Sequence, residues 1–522
     1  MLNDANNKYK RGTVYTKQQI NAALAGGTPL IHRDAVGHGT TTTGIAAGNG
    51  RNSRDWKYRG EAPKAKILMV QIVGGAAAHD DQAVEPAYIS NANDIPNAID
   101  FAIEQAAALG IPVVMLPNIG SVGGPQNGTS TRAKLIDSTF GTGKPGRVFV
   151  TGSSEDGGQD NHASATIAQG QTLNLELEKL DAGTISLEVW YPESDRYDVT
   201  LKTPGGSLGP YVSLATNNAT NQQTPSGISY SHQGSAVTGY GPTTRRTFRI
   251  LFSGAAGLYT VSMRATTSSG GKFNATLNTI NGEGRFLSHI VPGNTVWDVA
   301  SAFNNIAPND YVLREKWVNL DGVVTGIRED HVGDLWSGSG IGPTPDGRLG
   351  VDVSDPGNTV FAPYAPNTTW GKSTRPQDGN GFYTGQNAVS AASPQVTGIH
   401  RADAGDQPHL GRQTSQGHPA ADRAAGCVHR SRPEPALGLR QDRRLRGHYA
   451  SQPDAWCQAV LLFGQERAVF RFSAGLAYDC YGSCCPHTGQ RCWGVHDGEF
   501  GPMAHGEHCF RDSSGATHCA CG

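Results

Sequence analysis

The sequence predicts an α/β domain, a parallel sheet flanked by helices, into which an antiparallel β-sandwich is inserted. Three observations carry this. Short apolar runs of strand length, KILMVQIV at 66–73, PVVML at 112–116 and RVFV at 147–150, read as strands buried in a parallel sheet, and a helix-period segment separates the first two. Strand, helix and strand at that spacing form the crossover unit of such a sheet. From about residue 163 the apolar period drops to two for over a hundred residues, and near Val291 α/β-like segments return, so the alternating stretch is an insertion.

The elements follow in order. Residues 12–25, GTVYTKQQINAALA, read as a strand or turn and then a short helix with Thr16 as its N-cap. Residues 36–50, VGHGTTTTGIAAGNG, describe a short helix of small residues that lets its neighbours approach closely and presents His38 at its start. A lone histidine is more often structural than catalytic, so its meaning depends on its company. Residues 94–110 form a helix with Ile95, Ala98, Ile99, Ala102, Ile103 and Ala106 on one face and Gly110 at the C-terminal cap. In the insertion, Ile185, Leu187 and Val189 alternate with polar partners, as do Tyr197, Val199 and Leu201, Phe248, Ile250 and Phe252, and Tyr259, Val261 and Met263.

Composition narrows the function classes. The chain has 522 residues, enough for two to four domains, and a formal net charge of −2, which gives no electrostatic footprint for nucleic acid or an anionic membrane. No apolar run is long enough to span a bilayer, and MLNDANNKYKRG at the start has no signal-peptide core. All nine cysteines lie at or beyond Cys427; Cys480, Cys484, Cys485 and Cys492 suggest a metal knuckle or a disulfide module, yet their spacing matches no zinc pattern.

Several segments resemble the subtilisin-like serine peptidases in the order that family has them: GHGTTTTGIAAGNG, APKAKILMVQI, the IGS and GPQNGTS runs, GPTPDGRLGVDVSDPG and SAASPQVTG. The resemblance runs from the N-terminus to about Ile399 outside the insertion, and some bacterial members carry a similar inserted sandwich. It implies a subtilisin-like parallel sheet and a serine endopeptidase acting on peptide or protein substrates through an acyl-enzyme, with no nucleic acid or membrane partner. Ser390 is the implied nucleophile and His38 its base. Ser390 starts a helix, with Pro394 in the first turn, so its backbone N–H faces the oxyanion. The resemblance implies that Asn118, Ile119 and Gly120 line the substrate pocket. No cofactor is implied; calcium is common in relatives, but no ligands for it, or for any other metal, can be placed here. Relatives act outside the cell or at its surface; the compartment of this chain is left open.

Three departures from the family predict weak activity. The family's DTG or DSG aspartate precedes the histidine, whereas no such motif stands before His38; Asp4 and Asp34 lack that context, so the aspartate and the first strand are expected to be missing. Where the family has an oxyanion asparagine the chain reads TGSSEDG, which places Ser153 or Ser154 at that position. Ala388 and Val389 replace a glycine and a threonine ahead of Ser390.

The composition breaks after Ile399. From His400 to Gly522 there is no lysine, isoleucine or asparagine, while histidine, arginine and cysteine become frequent. Removing one base at the His400 codon lets the degenerate codons be read as IALMLATNPTLDAKQVKDILQRTA, which fits the apolar helices that the family has there. Residues 400–522 are therefore expected to be a frameshift product, against the alternative of an appended cysteine-rich domain. The expected organisation is 1–162 and 286–399 as two parts of a catalytic domain, 163–285 as the sandwich and 400–522 as the tail. The competing class is a non-catalytic scaffold or binding protein, or an incomplete gene product.

Overall fold

The computed structural model describes residues 8–406, apart from 10–11, 31, 33, 35–36, 72, 75–87, 90–93, 213–219, 224–226, 235, 238–239, 327–329, 367 and 369–370, together with five short strands beyond residue 458. Helix α1 (Lys17–Leu24) is capped as its sequence suggests. Thr16 Oγ1 accepts from Gln19 N–H, and the Gln19 side chain accepts from Thr16 N–H, a reciprocal capping box. Helix α2 (His38–Ala47) is nearly all buried. Its small residues permit this: a Cβ on Gly44 would lie 2.1 Å from Pro363 Cδ, so only glycine lets the two segments touch.

The central sheet has five strands: β1 (Lys66–Val70), β2 (Val113–Leu116), β3 (Arg147–Val150), β4 (Asn305–Ile306) and β7 (Ala459–Phe463). β2, β3 and β4 are parallel neighbours; the pairing of β2 with β3 fits the parallel sheet the sequence predicts, whereas β4 has no counterpart in the sequence reading, and β1 and β2, the expected crossover pair, are not hydrogen-bonded to each other. β7 lies between β1 and β2 and runs antiparallel to both, so the sheet is mixed and a segment of the tail completes it. β1 was expected to be buried on both faces; instead Ile67 and Met69 are 49% and 39% exposed, because β1 is an edge strand and only Leu68 and Val70 face the core. Helix α3 (Asp94–Leu109) packs against the sheet through Ala98, Ile99, Ala102 and Ala106, the face its period specifies, and Gly110 follows at φ +64°. Helix α4 (Thr131–Thr139) adds Ala133 and Ile136 to the same core, with Ser130 as its N-cap.

Residues 162–286 form two large antiparallel sheets and a two-stranded one, Ala236–Val237 with Gly241–Pro242. One of the large sheets contains Thr172–Lys179, Arg196–Thr203, Gly206–Tyr211, Gly257–Thr267 and Gly284–Phe286; the other contains His162–Thr166, Thr184–Pro192, Thr220–Gln223, Ile228–Gln233, Arg245–Ser253 and Lys272–Thr279. Both sheets contribute to one apolar cluster that includes Leu175, Leu187, Val199, Phe248, Val261 and Phe273, the inward members of the alternating runs.

Beyond this region β5 (Pro308–Val312) pairs in parallel with β6 (Val353–Asn358). Helix α5 (Val389–Asp406) then runs under the sheet, where Val396 joins Val114, Leu116 and Val150. The sequence offers no helical period past Ile399, yet α5 continues to Asp406. No helix of the described residues is long and apolar enough to cross a membrane. Ala468–Gly522 is a second unit, described only in four two- to four-residue strands that pair antiparallel, Trp493–His496 with Glu499–Pro502 and Phe510–Arg511 with Thr517–His518. The cysteines singled out above lie outside the described residues.

Candidate active site

Helices α2 and α5 bring their first turns together. His38 Nε2 lies 3.0 Å from Ser390 Oγ, although the two are 352 positions apart, and both side chains are buried. α2 is capped by a residue that motif reading passes over. The Asp34 carboxylate accepts from Gly37 N–H and Thr40 N–H, each at 2.8 Å, and from Thr40 Oγ1 at 2.7 Å, fixing the turn that presents the imidazole. Its signal was an aspartate four residues ahead of a helix start that Gly37, at φ +96°, cannot cap with a side chain.

His38 Nδ1 faces Thr42 Oγ1 at 3.5 Å, and among the described residues no carboxylate bonds to it. Burial is the main reason the His38 pKa falls to about 4, with Asp34 opposing weakly, so the imidazole is neutral at pH 7.

The expected pocket residues are at the same place but are tied into the scaffold. Asn118, at φ +48°, donates from Nδ2 to the Ser390 carbonyl at 3.2 Å. The Ile119 carbonyl accepts from Thr151 Oγ1 at 3.3 Å. Gly120 lies beneath Trp297, whose ring atoms would be 2.3 Å from any Cβ there. Trp297 in turn donates from Nε1 to Asp156 at 2.9 Å.

The position expected for an oxyanion donor is occupied differently. Ser154 turns its hydroxyl to the Thr295 carbonyl, and Ser153 donates to the Gly340 carbonyl at 3.0 Å; the loop around Gly340 packs directly on Ser154 and draws both side chains away from Ser390. The next residue, Glu155, points into the site. Its Oε1 accepts from Ser390 Oγ at 3.0 Å. Burial lifts Glu155 to about 7, against the lowering effect of the Ser390 hydrogen bonds. Asp156 is raised to about 6 and Asp310, on β5, to about 8, both mainly by burial. The sequence had flagged this turn only through the missing asparagine, because a carboxylate beside serines reads as an ordinary solvated loop.

Ala388 stands at φ +63°, the left-handed conformation for which glycine is suited, immediately before α5. Among the described residues no group of three or more histidine, cysteine or acidic side chains is arranged to hold a metal ion.

The model of the subtilase family matches residues 7–401 of the chain. Among solved structures, that of the CspB protease of Clostridium perfringens is similar in fold, with a TM-score of 0.56 and 21% identity over 74% of this chain and 73% of that one.

Proposed function

The chain belongs to the subtilase family, and on that premise we propose that it is a serine endopeptidase with curtailed activity, hydrolysing peptide bonds of peptide or protein substrates through an acyl-enzyme on Ser390. The observation that carries this reading is the 3.0 Å approach of His38 Nε2 to Ser390 Oγ. At that distance the imidazole takes the hydroxyl proton as Oγ bonds to the substrate carbonyl carbon, and it returns the proton to the departing amine when the C–N bond breaks. Water then attacks the ester, with His38 again as base. The Ser390 backbone N–H, at the start of α5, is the donor for the transient oxyanion.

Turnover is slow because, among the described residues, no carboxylate bonds to His38 Nδ1. In subtilisin, loss of the triad aspartate alone costs roughly 3 × 10⁴ in turnover. Residues 1–162 and 286–399 make up the catalytic domain, and the two-sheet region at 163–285 is an inserted β-sandwich. Residues 400–522 are read out of frame, which sequencing of the DNA around the Ile399 codon tests. A second reading, a non-catalytic scaffold, is favoured by Thr42 standing where an orienting carboxylate belongs.

A serine-directed fluorophosphonate separates the two. Label on Ser390 that disappears in Ser390→Ala and His38→Ala supports the peptidase. No label on the native chain at any pH supports the scaffold.

A further inference from the structure

Glu155 makes two contacts that acyl transfer requires to be free. Its Oε1 lies 3.0 Å from Ser390 Oγ, the atom that attacks, and its carboxylate is near enough to the Ser390 backbone N–H, the group a substrate oxyanion needs, for that N–H to favour the charged form. His38 Nε2 is also 3.0 Å from that same Oγ. A serine hydroxyl has a single hydrogen, so it can donate to only one of these two acceptors at a time. A charged carboxylate is the stronger acceptor, and when it holds the hydrogen the imidazole has none to take.

Resting on the acyl-transfer reading above, we propose that Glu155 is an internal occupant of the active site: its carboxylate, beside the Ser390 N–H where a substrate carbonyl oxygen would sit, draws the Ser390 hydroxyl away from His38, so the nucleophile is released when that carboxylate is protonated or withdrawn. The loop favours this arrangement. Ser153 and Ser154 are bonded to Gly340 and Thr295, which leaves Glu155 as the side chain of this turn that faces Ser390. Glu155 is half-buried, so it is held in place yet lies within reach of an arriving substrate.

The groups around it set the pH at which release occurs. Asp156, beside it on the turn, is bonded to Trp297 and Asn161 and raises the Glu155 pKa further. Asp310 faces it from β5, and His38 lies across Ser390 on α2. Among the described residues no lysine or arginine pairs with Glu155. The carboxyl therefore loses its proton through about pH 7, and His38 gains one only near pH 4. The reactive form, with neutral His38 and protonated Glu155, occupies the interval between those values.

The test is the rate of Ser390 labelling by a fluorophosphonate in the full chain, from pH 5 to pH 9, for the native protein, Glu155→Gln and Glu155→Ala, with circular dichroism to establish that each is folded. Glu155→Gln keeps the shape of the side chain but cannot ionise. The native rate is expected to fall about tenfold per pH unit above 7, since each unit removes about nine tenths of the remaining protonated form. Both variants are expected to hold their rate there and to label about 100-fold faster than the native chain at pH 9. A common pH profile for all three, or variants slower than native at every pH, overturns the occupant role; the second result would make Glu155 the base. Absence of label from all three at every pH overturns the acyl-transfer reading itself, and this proposal with it.

Discussion

Gly44→Ala tests how far the site depends on helix packing distant from the chemistry. An added Cβ would lie 2.1 Å from Pro363 Cδ and 2.5 Å from its Cγ, whereas ordinary contact begins at 3.4 Å. The difference, about 1.3 Å, must be absorbed by separating α2 from the strand Val360–Pro363, because the proline ring has no flexible end to swing aside. His38 is on the same helix, six positions earlier, and its bond to Ser390 is only 3.0 Å long. A misplacement of about 1 Å at a reacting group costs on the order of 100-fold in rate. Overpacking destabilises by about 1–3 kcal/mol, partly offset by the roughly 1 kcal/mol that alanine gains over glycine within a helix. The expected outcome is a fluorophosphonate labelling rate about 100-fold below native, in a protein that is folded and no more than about 2 kcal/mol less stable by urea titration. Unchanged labelling together with a stability gain near 1 kcal/mol would show that helix propensity alone had acted. The close packing of α2 would then have no part in placing the base.

Asp34→Ala removes three hydrogen bonds from the start of α2; urea titration is expected to register a loss of about 1–2 kcal/mol, and labelling of Ser390 to slow with it. Stability is also expected to fall as pH rises from about 6.5 to 8. Glu155 and Asp355 are raised to about 7 and Asp310 to about 8 in the fold, mainly by burial, so over that interval the folded state binds protons that the unfolded state has lost. His38, His162 and His232 act in the opposite sense, being lowered to about 4, but their effect is complete once pH passes their unfolded value near 6.5. Asp310→Asn is expected to reduce the fall by up to about 1.4 kcal/mol per pH unit, one proton's worth; urea midpoints at pH 6.5 and 8 check both statements.

The parts legible in the sequence were those whose signal is local. α3 could be read because six apolar residues repeat at helical spacing against one surface, and the two antiparallel sheets because each inward residue is separated from the next by one outward residue. His38 and Ser390 were picked out by the resemblance of GHGTTTTGIAAGNG and SAASPQVTG to family motifs; the small residues alone specified only a closely packed helix with His38 at its start. What could not be read depended on partners far along the chain. Nothing within TGSSEDG indicates that Gly340 and Thr295 draw the serines inward and turn Glu155 toward Ser390. Nor does AVLLF at Ala459–Phe463 announce that it lies between β1 and β2, because a five-residue apolar run specifies a strand but neither its sheet nor its direction.

The two-sheet region also bears on the site, through contacts that its alternating pattern does not reveal. Glu188, on the strand Thr184–Pro192, accepts from Gly124 N–H at 3.0 Å and from Trp190 Nε1 at 3.2 Å. Ser121 donates to Asn278 at 3.1 Å, and the Tyr240 carbonyl accepts from Thr131 Oγ1 at 2.8 Å. The bonds to Ser121, Gly124 and Thr131 fasten the segment that follows Asn118, Ile119 and Gly120. Glu188 is almost fully buried and is also held by Trp190 Nε1 and Arg249, so it is a fixed acceptor, and breaking its bond would leave the buried Gly124 N–H without a partner. The sheets therefore restrain the loop whose first residues contact Ser390 and Trp297. Two sheets joined to the rest of the chain only at residues 162 and 286 would leave Ser121, Gly124 and Thr131 unaffected; bonded to all three, they support the segment that leads from Asn118 and its contact with Ser390.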